Sequence, residues 1–113
     1  MVALGYVADD ALPDIINSCD LLVAMNIDSS FGQYSYPVKI YEALACGKQV
    51  LASATQPVRW ILQEDERLLA SIGNVGDLAA RITSLLDQPV EIKPLENSWS
   101  QAGLELESML RKL

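Results

Sequence analysis

Lys39 and Glu42 stand three residues apart in the stretch Ser35-Tyr36-Pro37-Val38-Lys39-Ile40-Tyr41-Glu42-Ala43-Leu44-Ala45-Cys46-Gly47. On a helix that spacing puts an ammonium and a carboxylate on neighbouring surface positions. Pro37 suits a first helical turn, where no amide is needed and φ is already near the helical value. Ser35 or Tyr36 is the expected cap, and Gly47 falls where a helix ends on a left-handed residue. A cation in the first turn opposes the helix dipole, a mild anomaly that an anion bound at the same end would relieve. On spacing alone a solvated Lys–Glu pair, worth about 0.2–0.5 kcal/mol, is the simpler account. The preceding stretch, Asn26 to Tyr36, is long for a strand-to-helix link, and such links are often functional. It carries an acidic group, serines, a glycine and tyrosines, whose hydroxyls and ring faces suit a sugar; the competing account is a solvated loop with Phe31 tucked beneath it.

The elements that must position these groups follow in chain order. Met1–Val7 reads as a short strand. Asp9 and Asp10 then precede a helix with Leu12, Ile15, Ile16 and Cys19 at helical spacing, where capping and dipole matching account for the aspartates. Leu21–Met25 is an unbroken apolar run, as in a parallel strand covered on both faces. Gln49–Ser53 reads as the next strand. Thr55 or Gln56 is the expected cap of a short helix, Val58–Gln63, that buries Trp60 and Ile61 while Arg59 faces solvent. Glu64–Glu66 reads as a solvated turn and Arg67–Ser71 as a last strand.

A helix from Asp77 presents Leu78, Ile82, Leu85 and Leu86, and ends at Asp87-Gln88-Pro89. Val90–Glu96 reads as a linker. Ser98 and Gln101 form a capping box for a terminal helix, residues 98–112, expected to bury Trp99, Ala102, Leu106, Met109 and Leu110. If that face stays uncovered it favours self-association. The alternation implies an α/β fold, a three-layer Rossmann-like domain with a small parallel sheet of four strands.

Here the residues carry a resemblance. The run PVKIYEALACGKQVLAS (37–53), preceded by GYV (5–7) and LPDIINSCDLLVAM (12–25), resembles the C-terminal, donor-binding domain of GT-B fold glycosyltransferases, family 4 or "group 1". Asn97-Ser98-Trp99-Ser100 resembles that family's closing helix. The resemblance implies that Glu42 binds the donor ribose and that Lys39 lies near the donor phosphates. It implies that the backbone around Ser35, Tyr36 and Val38 cradles the diphosphate and sugar. Many members carry a second glutamate eight positions before the first; here that position is Tyr34, so the two-glutamate signature is half present.

It also implies an incomplete donor domain, residues 1–113, whose partners are a nucleotide-sugar or nucleoside diphosphate and a missing N-terminal acceptor domain. The implied reaction is retaining transfer of a sugar to a hydroxyl acceptor, with the isolated chain inactive. The nucleotide-sugar is then a substrate, and no cofactor is expected. The competing readings are a degenerate Rossmann-like interaction module and a fragment of a sugar-nucleotide 2-epimerase.

Composition narrows the field. The 113 residues carry a formal charge of −7 and half are hydrophobic, enough for one small core. That acidity argues against nucleic-acid binding and against an electrostatic grip on anionic lipid. No histidine is present, which removes His-based acid–base catalysis and, with no Cys/His pattern, any expectation of a metal site. Cys19 and Cys46 are expected as free thiols, and no signal peptide is visible; both point to the cytoplasm, with a parent enzyme peripheral on the inner membrane face.

Overall fold

The computed structural model describes residues 1–93 and 98–113. Its centre is a three-stranded parallel sheet made of β1 (Leu22–Ala24), β2 (Val50–Ser53) and β3 (Leu69–Ala70), in the spatial order β1-β2-β3. Leu22 pairs with Val50 and Ala24 with Ala52 on one side of β2, and Ala52 with Leu69 on the other. The central strand is buried along its whole length, Ser53 included, whereas β1, expected to be covered on both faces, leaves Val23 45 % exposed. The parallel α/β class read from the sequence is correct, with three strands among the described residues in place of the four expected.

Met1–Val7 forms no strand. Met1 to Tyr6 are all exposed, so the run's apolar residues gain no burial that would hold it against a sheet edge. A 3-10 turn over Asp9–Ala11 follows, with both aspartates in it and no side-chain cap. It leads into α1 (Leu12–Ser18), which starts on Pro13 in its first turn. After β1 the expected loop contains a helix, α2 (Ser30–Tyr34). Next come α3 (Val38–Ala45) and, after β2, α4 (Gln56–Ile61). A second 3-10 turn, Glu66–Leu68, takes up the first half of what read as a strand from Arg67 and leaves only Leu69–Ala70 in the sheet. The chain continues with α5 (Val75–Asp87) and α6 (Trp99–Arg111).

The core is contributed by one face of α3 (Ile40, Ala43, Leu44), by Val50, Leu51 and Ala52 of β2, by Val58 and Leu62, by Leu68–Ala70 and by Leu85. Ile40, Ala43 and Leu44 follow the i, i+3, i+4 rule, so Lys39 and Glu42 are turned outward and both are exposed. Gly47 ends α3 at φ +69°. Its amide donates to the Leu44 carbonyl and the Lys48 amide to the Ala43 carbonyl, the paired bonds of a Schellman motif. Gln49, almost fully buried, binds three segments together. Its Nε2 donates to the carbonyls of Asp20 (3.0 Å) and Leu85 (3.2 Å), and its Oε1 accepts from the Val90 amide (3.0 Å).

Three further expectations are corrected. Trp60 is 71 % exposed, because Val58 and Leu62, four apart, already occupy the inward side of so short a helix. Phe31 is not tucked under its loop but exposed. α6 buries none of its residues; Trp99 is 93 % exposed, and Leu106, Met109 and Leu110 are exposed as well. Ser98 does cap α6, accepting from the Gln101 amide at 3.1 Å. The Gln101 side chain reaches forward to Glu105 instead of back, so the capping box is half made. The end of the expected linker, Pro94–Glu96, and Asn97 of the closing motif lie outside the described residues. Cys19 and Cys46 are free, and among the described residues no helix is long and apolar enough to cross a membrane.

Candidate functional site

In a parallel sheet the segments leaving the strands' carboxyl ends form one rim, where ligands of open α/β folds gather. Here that rim is built from the chain after β1, the start of α3 and the chain after β2. The chain leaving β1 is fixed before it turns. The Asn26 amide donates to the buried hydroxyl of Ser53 at 2.7 Å, and Asn26 Nδ2 donates to the Gly32 carbonyl at 3.2 Å. Ser29 caps α2 by accepting from the Gly32 amide at 3.0 Å. Gly32 has no alternative residue, since a Cβ there would run into the carbonyl oxygen of Ile27.

α3 begins at Val38 with Pro37 as its N-cap, one position earlier in role than the sequence suggested. No side chain caps it, neither Ser35 nor Tyr36. Ser35 instead closes α2, its amide donating to the Phe31 carbonyl at 2.9 Å. The first-turn amides of α3 therefore face the rim without a side-chain acceptor, beside the positive end of the helix dipole. Lys39 and Glu42 form no ion pair among the described residues. The simpler account of their spacing, a solvated salt bridge, is thus not what the structure contains.

Tyr36 and Tyr41 steady the entrance to α3. Their hydroxyl oxygens are 2.6 Å apart and their ring centroids 5.9 Å apart. Burial, and then the hydrogen bond to Tyr36, push the Tyr41 phenol up to about 12. At neutral pH Tyr41 is therefore uncharged.

Tyr34, 79 % exposed, lines an open pocket of about 370 Å³ together with Asp28, Ser29, Ser30, Gln33 and Gln56. Gln33 Nε2 donates to Asp28 Oδ1 at 3.2 Å. Gln56 opens α4, and α2 packs beside that helix, so the pocket spans the ends of β1 and β2. Ser35, Tyr36, Val38, Lys39 and Glu42 do not line this pocket; Ser35 and Tyr36 precede α3, Val38 and Lys39 open it, and Glu42 stands in its second turn. The loop's acidic residue and two of its serines, singled out from the sequence, do line this pocket. Gln56 was not, because it arrives from the next strand. Arg59, read as solvent-facing, pairs with Glu64 (3.0 Å) and Glu66 (3.1 Å), contacts that raise its pKa and leave it no rim role.

A small parallel sheet with helices packed on it and a polar pocket at its carboxyl rim is the arrangement of a Rossmann-like α/β fragment. The family described as glycosyl transferases group 1 matches residues 1–88, that is 88 of the 113 positions, and the chain belongs to that family. No curated protein and no solved structure matches the chain.

Proposed function

We propose that this chain is the donor-binding part of a retaining GT-B glycosyltransferase and holds a nucleotide-sugar at the start of α3. The observation that carries the reading is the uncapped first turn of α3, with Lys39 and Glu42 outward, exposed and not paired with each other. The Val38 and Lys39 amides, which no side chain caps, and the helix dipole favour a diphosphate, and Lys39 adds the cation that the leaving phosphate needs as negative charge develops on it. In this reading Glu42, one turn further along and exposed, accepts hydrogen bonds from vicinal ribose hydroxyls; a carboxylate is an acceptor only. Ser35, Tyr36 and Val38 contribute backbone at the diphosphate. The acceptor site then belongs to a second domain. Alone, the chain binds nucleotide weakly and transfers nothing. The same reading implies a cytoplasmic protein, and the exposed apolar side of α6 as a contact for that second domain or for another copy of the chain.

The test is an amide-shift titration of the 15N-labelled chain with UDP, GDP and ADP. One of the three should shift Tyr36, Val38 and Lys39 first. Glu42→Ala should weaken that nucleotide roughly 10-fold, the size of a lost charge-assisted hydrogen bond. Unchanged affinity in the variant refutes the ribose role, and shifts confined to another surface refute the site.

A further inference from the structure

We infer that the pocket between α2 and the start of α4 recognises the hydroxyls of a neutral sugar through Asp28, held by Gln33, and excludes a sugar that carries its own carboxylate. The inference rests on the nucleotide-sugar reading above and adds to it a substrate class and a specificity-determining residue.

The lining is Asp28, Ser29, Ser30, Gln33, Tyr34 and Gln56. It contains one formal negative charge and no lysine or arginine. A second carboxylate bound in contact with Asp28 would meet like charge, with no cation in the lining to offset it. Hydroxyls meet the opposite situation. The Asp28 carboxylate accepts only, and hydrogen bonds to an ionised acceptor are roughly twice as strong as neutral ones. The Gln33 amide spends one N–H on Asp28 Oδ1, which fixes the carboxylate and leaves its second oxygen and the Gln33 carbonyl for ligand donors. Tyr34 sets an aromatic ring beside these groups, a face suited to the C–H side of a pyranose. At about 370 Å³ the pocket lies at the small end of the range for small-molecule sites.

Preorganisation is built into the backbone that carries Asp28. Asn26 is anchored to Ser53 and Gly32 on one side, and Ser29 caps α2 on the other. Asp28 thus projects from a two-residue span fixed at both ends. Tyr34 is followed within four residues by the first turn of α3, so a sugar here and a diphosphate there would belong to one ligand. In this reading the carboxylate that grips the sugar comes from the loop before α2, and position 34 contributes a ring.

The experiment extends the amide-shift titration. For whichever of UDP, GDP and ADP binds, the neutral hexose conjugate and the matching uronate conjugate are titrated against the wild-type chain and Asp28→Asn. The neutral conjugate should bind several-fold tighter than the bare diphosphate, with added shifts over residues 28–34 and at Gln56. The uronate should bind no tighter than the diphosphate. Asp28→Asn should weaken the neutral conjugate roughly 5- to 10-fold, admit the uronate, and leave the bare diphosphate unchanged. Equal behaviour of variant and wild type toward all three ligands overturns the inference while the nucleotide site stands. If no diphosphate shifts the start of α3, the nucleotide reading fails and the sugar subsite falls with it.

Discussion

The Asn26 amide donates to the Ser53 hydroxyl at 2.7 Å, across 27 positions of sequence, and this bond ties the chain leaving β1 to the carboxyl end of β2. Ser53 is fully buried, and its own proton has the Asn26 carbonyl (3.3 Å) and Met25 Sδ (3.8 Å) within reach. Ser53→Ala removes the acceptor and leaves the Asn26 amide without its partner. We expect a loss of about 1–3 kcal/mol in urea unfolding, with faster hydrogen exchange at Asn26 than at Leu51. An unchanged midpoint would show that the loop finds another anchor.

Gly32→Ala should be worse than its small size suggests. The added methyl is forced against the Ile27 carbonyl, a backbone atom held by the Asn26 anchor and unable to swing aside. Overpacking of this kind costs about 1–3 kcal/mol. It should also unseat the Ser29 cap, so amide shifts should spread from Asn26 to Tyr34 while α5 stays unmoved. Gly103→Ala on α6, where a Cβ meets nothing, is the control and should be neutral or slightly stabilising. A neutral Gly32→Ala variant would mean that α2 is not seated as described.

These two contacts also explain what the sequence could and could not disclose. α3 was legible because everything that shapes it is local: the i, i+3, i+4 apolar set, the proline at its start and Gly47 at its end. β2 was legible because the apolar Val50-Leu51-Ala52 comes soon after the glycine that ends α3. α2 was not, since five residues with Phe31 and Tyr34 turned to solvent show no core-facing period; a cap and a glycine contact hold it instead. Met1–Val7 and α6 fail for one shared reason. Periodicity reports which side of an element is apolar, but strand pairing and burial need a neighbour that local pattern does not name. Tyr34 through Glu42 could be read as one block, whereas Gln56 reaches the pocket that Tyr34 lines only through the parallel pairing of β1 with β2.

Gln63 offers a gain in stability. It closes α4 in the left-handed region at φ +54°. Its amide donates to the Trp60 carbonyl and that of Glu64 to the Arg59 carbonyl, a Schellman end with glutamine in the glycine position. A side chain there costs about 1–2 kcal/mol, offset in part by the greater freedom that glycine has when unfolded. Gln63→Gly should therefore stabilise by about 0.5–1 kcal/mol, and Gln63→Ala should not. Equal effects of the two would place the origin in the lost side chain, not in the backbone.

Asp77 should govern part of the acid limb of stability. Its Oδ2 accepts from the Ser71 amide at 2.8 Å and both oxygens accept from Arg81 Nε at 3.0–3.1 Å. The Ser71 amide first, and Arg81 next, hold its pKa below the ordinary 3.8. The folded state thus binds this proton less readily than the unfolded chain. The stabilisation is fully present above about pH 4 and is lost as pH falls through the lowered folded value. Asp77→Asn should lower the urea midpoint at pH 7, and the gap between variant and wild type should close toward pH 2. Asp65, lowered by its pairing with Arg67, titrates in the same direction and keeps some acid sensitivity in the variant. A gap of constant size across that range would mean that the Asp77 charge contributes nothing and that only the shape of the turn between β3 and α5 matters.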